Sequence, residues 1–159
     1  MMEKTIIIDK EHLLYQVNLK NHYMGESLKR VDINADTMQS DTDDNELFDI
    51  FIEEACNAIA SSVALRFKGM RYENDGRYIA FTFITSGEPM SNILPMLKQS
   101  INDYLVNELI QQWLLLRYPQ MSQSYISLRP ALMSNVQQQF AKLSNTRKTR
   151  RRATDLGGI

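Results

Sequence analysis

Few residues of this chain have the types and spacing that catalysis or metal binding requires. The two histidines, His12 and His22, lie ten positions apart without further ligands at metal-binding spacing. The acids at 41, 43, 44 and 46 offer oxygen ligands for calcium, but the glycine and the closing glutamate of an EF-hand loop are missing. The single cysteine, Cys56, has no histidine in a catalytic context, so we interpret it as a small packed residue. The sequence therefore predicts no catalytic residue, no metal, no cofactor and no enzyme.

The most informative polar feature is a basic run near the C-terminus, followed by two apolar residues that flank a pair of glycines. Three interpretations stay open: a solvated tail, phosphate contacts with nucleic acid that carry no sequence specificity, or docking on an acidic protein groove. The apolar residues favour an arm that inserts into a partner, because a purely electrostatic tail does not need them. The candidate partner-binding residues are Arg147, Lys148, Arg150, Arg151, Arg152, Leu156 and Ile159.

Charge is distributed unevenly along the chain. The 159 residues carry a net charge of -1, with 18 Lys or Arg and 19 Asp or Glu. From Lys142 onward six basic residues stand against Asp155 alone, so this end carries +5 and the remainder -6. Between Val31 and Leu65 there are nine acids and no Lys or Arg. An acidic body with a basic C-terminal end indicates interaction with a partner.

A long apolar helix, predicted within residues 90–118, is the element around which the others should pack. Its first half has one apolar stripe, whereas from Leu105 to Leu116 apolar residues lie nearly all the way round. This second half should be enclosed either by the fold or by another subunit. We predict a subunit interface there, formed by Trp113, Leu114 and Tyr118; the alternative is that the tryptophan lies in the core.

The remaining elements follow from capping, periodicity and turn signals. Residues 5–8 form an edge strand or an extended arm, and Asp9 caps a helix over about 10–20 that ends by Gly25. Residues 33–45 form a mobile loop. Asp43 and Glu46 then open a helix over about 47–62. A hairpin pairs residues 65–72 with 77–85 around an Asp-Gly turn.

The last helix covers about 121–143, and Pro130 should kink or break it near Leu128. The predicted class is thus mainly α (α+β): a helical bundle on a long central helix, with one hairpin before it and flexible N- and C-terminal arms. We expect one domain, 1–144, with the hairpin at about 65–85, and a basic extended C-terminal arm, 145–159. Neither a signal peptide nor a membrane span is predicted, and one cysteine is compatible with a reducing compartment, so we expect a soluble cytoplasmic product.

This order of elements resembles the head-tail connector, or adaptor, proteins of long-tailed bacteriophages. The resemblance rests on the acid-opened helix DDNELFDIFIEEACNAI and on LVNELIQQWLLLRYP, a long helix that closes with an aromatic residue and an arginine. The chain is also similar to small virion proteins of phages of gut Bacteroidetes, which share an EAC-N-A helix and an arginine-rich end. The hairpin departs from the barest form of the adaptor family, which is nearly all helical.

The resemblance implies a structural virion protein made in the host cytoplasm and located in the phage neck. There it would form a homo-oligomeric ring, typically of twelve copies, beneath the portal protein and around the channel for genomic DNA. Its partners would be itself, the portal and the next neck or tail protein, with the C-terminal arm docking on the portal. Two alternatives remain, namely a tail-completion or terminator ring protein, and a small nucleic-acid-binding protein that uses the basic tail.

Overall fold

A computed structural model describes residues 1–29, 44–67 and 69–156 and confirms the mainly α class with a small antiparallel sheet. Its apolar side chains converge on one hydrophobic core. The elements in chain order are β1 (Met2–Asp9), α1 (Lys10–Lys29), α2 (Asn45–Val63), β2 (Arg71–Asn74), β3 (Tyr78–Thr85), α3 (Ile93–Arg117), a short 3-10 turn (Pro119–Met121) and α4 (Gln123–Leu156).

The N-terminal residues form an edge strand, so the prediction of a flexible N-terminal arm is wrong. β1 pairs antiparallel with β3 along its full length, and β2 pairs with the opposite side of β3. Ile6 and Ile8 are buried while Ile7 is exposed, as the two-residue period of a strand requires. The apolar run is therefore held in the sheet by burial of every second side chain.

The hairpin is present, but its first strand is shorter than predicted. β2 begins only at Arg71, because the chain leaves α2 through turns in which the N–H groups of Arg66 and Phe67 both donate to the Val63 carbonyl. These turns bring Phe67 into the core, with its ring centroid 5.9 Å from that of Phe83. Burial of this one aromatic side chain thus replaces the first half of the expected strand.

A capping hydrogen bond marks the start of α1 but not that of α2. The Asp9 carboxylate accepts a hydrogen bond of 3.0 Å from the Glu11 N–H, so the predicted cap of α1 is confirmed. This helix continues through Gly25 to Lys29, whereas the sequence predicted an end by Gly25; the glycine is buried inside the helix. The predicted cap Asp43 and nearly all of the predicted loop 33–45 lie outside the described residues. Asp44 takes the cap position of α2, but its side chain makes no capping bond.

α3 is the central helix, and it lies within the predicted range 90–118. Asn92 stands at the cap position and Pro95 in the first turn, where its missing N–H interrupts no helical bond. Every residue from Tyr104 to Gln111 is buried, because α1, α2, α4 and β1 all pack against this helix.

α4 is one continuous helix, so the predicted break near Leu128 is wrong. Pro130 lies inside it, and packing of Val136 and Phe140 in the core outweighs the loss of one backbone hydrogen bond. The helix also continues to Leu156, which corrects the prediction of an extended arm from residue 145. Arginine and lysine, which supply five of the six residues at 147–152, are good helix formers.

The directions of the long helices follow from two contacts. Arg117 at the end of α3 bonds Asp44 just before α2, at 3.1 Å, so α2 and α3 are antiparallel. Phe67, just after α2, stacks on Phe140, late in α4, with ring centroids 5.4 Å apart. α2 and α4 therefore run in the same direction, and both start at one end of the domain. The C-terminal part of α4 leaves the body at the opposite end.

Candidate functional site

The residues predicted to form a subunit interface are mostly enclosed by their own chain. Trp113 and Leu114 have no exposed surface, and Tyr118 is half-buried against the core. The alternative prediction, that the tryptophan lies in the core, is therefore confirmed, and neither Trp113 nor Leu114 has exposed surface to offer a neighbouring subunit. The full length of α1, together with α2 and α4, supplies enough neighbours to cover the second half of α3.

The predicted partner-binding residues are brought together on one helix. The backbone of residues 147–152 and of Leu156 belongs to α4, and Ile159 lies outside the described residues. The last buried apolar residue before them is Leu143. The basic residues therefore follow the end of the core directly, on a helical backbone.

A buried polar cluster between α3 and α4 was not predicted from the sequence. Glu108 is only 3% exposed, and its carboxylate lies 2.9 Å from the Nε atom of Arg129 on α4. Tyr104, one turn earlier on α3, is fully buried, and Asn107 donates a 3.0 Å hydrogen bond to the carbonyl of Tyr125. The signal that could have revealed this cluster is a tyrosine and a glutamate four positions apart inside an otherwise apolar helix.

Burial controls the electrostatics of this cluster. Removal from water raises the pKa of Glu108, Arg129 opposes the rise, and the nearby carboxylate of Glu54 adds to it. Burial likewise raises the pKa of Tyr104, and the nearby positive charge of Arg129 opposes the rise. The cluster thus depends on one arginine of α4, and it fixes how α4 sits on α3.

Lys10 ties three elements together at the start of α1. It is 6% exposed, and its ammonium group lies 2.5 Å from the Asp49 carboxylate on α2. The same group donates a 2.8 Å hydrogen bond to the carbonyl of Asp75 in the hairpin turn. A groove between β1, α1 and this turn includes Asp9, Lys10 and Glu11 in its lining. Of these lining residues, Asp9 caps α1 and Lys10 binds Asp49 and Asp75, so both already have partners within the fold.

We expect Lys10→Ala to lower the free energy of unfolding by about 1–2 kcal/mol, because the Asp75 carbonyl loses its donor and the ion pair of the buried Lys10 with Asp49 is lost. Urea denaturation followed by circular dichroism measures the change. Lys10→Met, which keeps the apolar stem, should cost less. The matched control is Lys98→Ala at an exposed position of α3; equal effects of Lys10→Ala and this control would contradict the bridging role.

Cys56 is a packed core residue, as the sequence indicates. Its side chain is fully buried, and burial, with a contribution from Glu53, raises its pKa to about 12. A thiol with that pKa is almost entirely protonated near neutral pH, and only the thiolate is a good nucleophile.

The outward side of α2 is a strongly acidic helix face. We call the five residues Glu46, Asp49, Ile50, Glu53 and Glu54 the acidic face of α2; all are exposed, and Ile50 is 56% exposed at its centre. Asp49 pairs with Lys10 at 2.5 Å, and Glu53 accepts a 2.7 Å hydrogen bond from the Tyr72 hydroxyl. Glu46 and Glu54 form no hydrogen bond or ion pair within the part of the chain that the structure describes.

No protein-family model, no curated protein and no solved structure matches this chain.

The remaining candidates for chemistry do not assemble into a site. His12 and His22 are both exposed on α1. No group of three or more metal-ligating side chains occurs within residues 1–29, 44–67 and 69–156. Among the helices in these ranges, none has both the length and the apolar character needed to cross a bilayer. The features left for interaction are the acidic face of α2 and the basic end of α4.

Proposed function

We propose that the chain is a structural subunit of a phage head-tail connector, a homo-oligomeric ring that joins the portal to the tail and surrounds the DNA channel. The observation that carries this proposal is the separation of charge along the helices. An acidic face lies on α2, which starts at one end of the domain, while the basic end of α4 leaves from the other. Such a chain is suited to assembly with partners of complementary charge.

The body of the protein supports a role in which DNA passes without being held. Residues 1–141 carry a net charge of -6, which repels the phosphate backbone and disfavours tight binding in a channel. The polar groups that α3 buries hold α3 and α4 together. A structural role without catalysis is the simplest use of this fold.

A ring would be built through surfaces other than the one the sequence favoured. Trp113 and Leu114 are enclosed, but the next two residues of α3, Leu115 and Leu116, are 39% and 62% exposed. These leucines lie at the end of the domain where α2 starts, close to Arg117 and its partner Asp44. Apolar surface for a subunit contact is therefore present directly beside the predicted position.

The proposal is tested by the mass of the complex that the chain forms with a portal protein encoded in the same genome. Native mass spectrometry should show one ring of the chain bound to each portal ring, including when the chain alone is monomeric. Mixing with a tail tube that lacks its terminator, instead of with a portal, separates the adaptor from the tail-completion alternative. Failure of the chain to bind either the portal or the tail tube would contradict the proposal.

The second candidate, a small nucleic-acid-binding protein, is favoured by one observation, the five basic residues on the C-terminal end of α4. Binding of the isolated chain to duplex DNA that falls steeply with salt, and is lost on truncation after Ser144, would support it. The connector proposal expects weak DNA binding at physiological salt.

A further inference from the structure

We propose that the acidic face of α2 is the docking site for the basic end of α4, residues 147–156, from a second copy of the chain. The inference rests on the proposed function as a ring subunit and names the contact through which neighbouring subunits join. The occupant is argued from charge, from the directions of the helices and from the exposed apolar group between the carboxylates.

The two surfaces are complementary in charge. The face presents four carboxylates, and no Lys or Arg occurs between Val31 and Leu65. Residues 147–156 contain five basic side chains and one acid, Asp155, a net charge of +4. Opposite charges at this density favour association and reject like-charged partners.

The chain's own basic end cannot reach this face without breaking α4. α2 and α4 run in the same direction, so α4 leaves the body beyond the C-terminal end of α2. From the buried Leu143, α4 continues for a further 13 residues to Leu156, which is about 20 Å at 1.5 Å per residue. Glu46 and Glu54 lie on the first half of α2, on the side of the domain from which the basic end points away. A neighbouring copy can place its basic end on the acidic face of α2, whereas the same copy cannot.

The free groups on the face are placed for one helix to contact. Glu46, Ile50 and Glu54 follow each other at four-residue spacing and so lie along one stripe, about 12 Å long. Asp49 and Glu53 already have partners within the chain, so the two outer carboxylates remain for arginine or lysine. Ile50, 56% exposed, offers an apolar contact between them, and a basic helix that ends in leucine has both kinds of group to match.

This contact joins different surfaces of two copies and is therefore heterologous. Repetition of a heterologous contact gives a ring when the rotation closes and a filament when it does not. The attraction acts between exposed charges, so salt should weaken it, because the Debye length is only about 10 Å at 0.1 M ionic strength.

Carbodiimide cross-linking of a mixture of unlabelled and nitrogen-15-labelled chain tests the contact directly, since the reagent joins carboxylates to amines without a spacer. The expected product links Lys148 of one isotopic form to Glu46 or Glu54 of the other, and it disappears in 0.5 M salt. Cross-links confined to one isotopic form, or from Lys148 only to other acids, would overturn the proposal.

Charge-reversal variants provide a second test of the contact. Glu46→Lys with Glu54→Lys, and separately Arg150→Glu with Arg151→Glu, should each weaken self-association about tenfold or more in sedimentation velocity. Mixing the two double variants should restore association between them. The control is Glu73→Lys with Asp103→Lys, which makes the same change of net charge at exposed positions outside the face.

The possible results separate this contact from the wider function. Rings on the portal that form equally well with either double variant would overturn the docking site and leave the connector role standing. Loss of portal binding with intact mixed-isotope cross-links would overturn the connector role and leave the docking site standing. Tighter binding of the wild-type chain to duplex DNA than to itself, lost in Arg150→Glu with Arg151→Glu, would also overturn the inference.

Discussion

Replacing Trp113 with alanine is expected to lower the free energy of unfolding by about 3–5 kcal/mol, the cost of removing a large buried aromatic side chain. Trp113 has no exposed surface and lies among the core residues of α3, where α1, α2 and α4 all approach. A cavity of this size cannot collapse without moving whole helices. Urea denaturation followed by far-ultraviolet circular dichroism measures the change. Tryptophan fluorescence cannot report on the variant, because it has lost the only tryptophan of the chain.

Two further variants define what this result means. The indole N–H of Trp113 has no hydrogen-bond partner among the described residues, so Trp113→Phe should cost clearly less than Trp113→Ala. Leu116→Ala, at a 62% exposed position three residues later, should change stability by no more than about 0.5 kcal/mol. A small effect of Trp113→Ala, or tryptophan emission typical of an exposed indole in the wild type, would contradict the enclosed position.

Arg129→Met is expected to lower stability by roughly 2–3 kcal/mol near neutral pH, because it leaves the buried carboxylate of Glu108 without its cation. The effect should fall short of that for a fully buried pair, since the Arg129 side chain is 46% exposed. Adding Glu108→Leu to Arg129→Met should recover most of the loss, because two apolar side chains then meet across the α3–α4 interface. A double variant no more stable than Arg129→Met would contradict the pairing.

The stability lost in Arg129→Met should also depend on pH. Burial raises the pKa of Glu108 above its ordinary value of 4.5, so the folded protein holds this proton more tightly than the unfolded chain. The contribution of Glu108 to stability therefore falls as pH rises from about 4.5 through the folded-state pKa. Without Arg129 that pKa rises further. The stability difference between Arg129→Met and wild type should thus narrow as pH is lowered towards 4.5, which denaturation curves at several pH values would show.

Local signals in the sequence were enough for most helix and strand positions. The Asp9 cap, the start of α3 at Asn92 with Pro95 in its first turn, and the Asp-Gly turn all depend on a few neighbouring residues. The errors arose where burial outweighs local preference. Gly25 is buried within α1 and does not end it, and Pro130 lies inside a helix held by its core side chains.

The candidate site could be predicted only in part, for a related reason. A segment that is apolar all round must be enclosed, but its sequence does not tell how many neighbours its own fold provides. Four elements of the fold, α1, α2, α4 and β1, pack against α3, and Trp113 is fully enclosed. The partnership of Glu108 with Arg129 also depends on tertiary geometry, because the two residues lie on different helices. The acidic face of α2, by contrast, follows from helical periodicity.

The place of β1 in the sheet also affects the order in which the protein can fold. Met2 lies opposite Thr85, 83 positions later, so the residues of β1 are synthesised well before the hairpin with which they pair. Until then the run Thr5-Ile6-Ile7-Ile8 is an unpaired, β-prone apolar segment of a nascent chain, whereas α3 and α4 can form from contacts close in sequence. Closing the sheet is therefore expected to be a late step, and an aggregation-sensitive one.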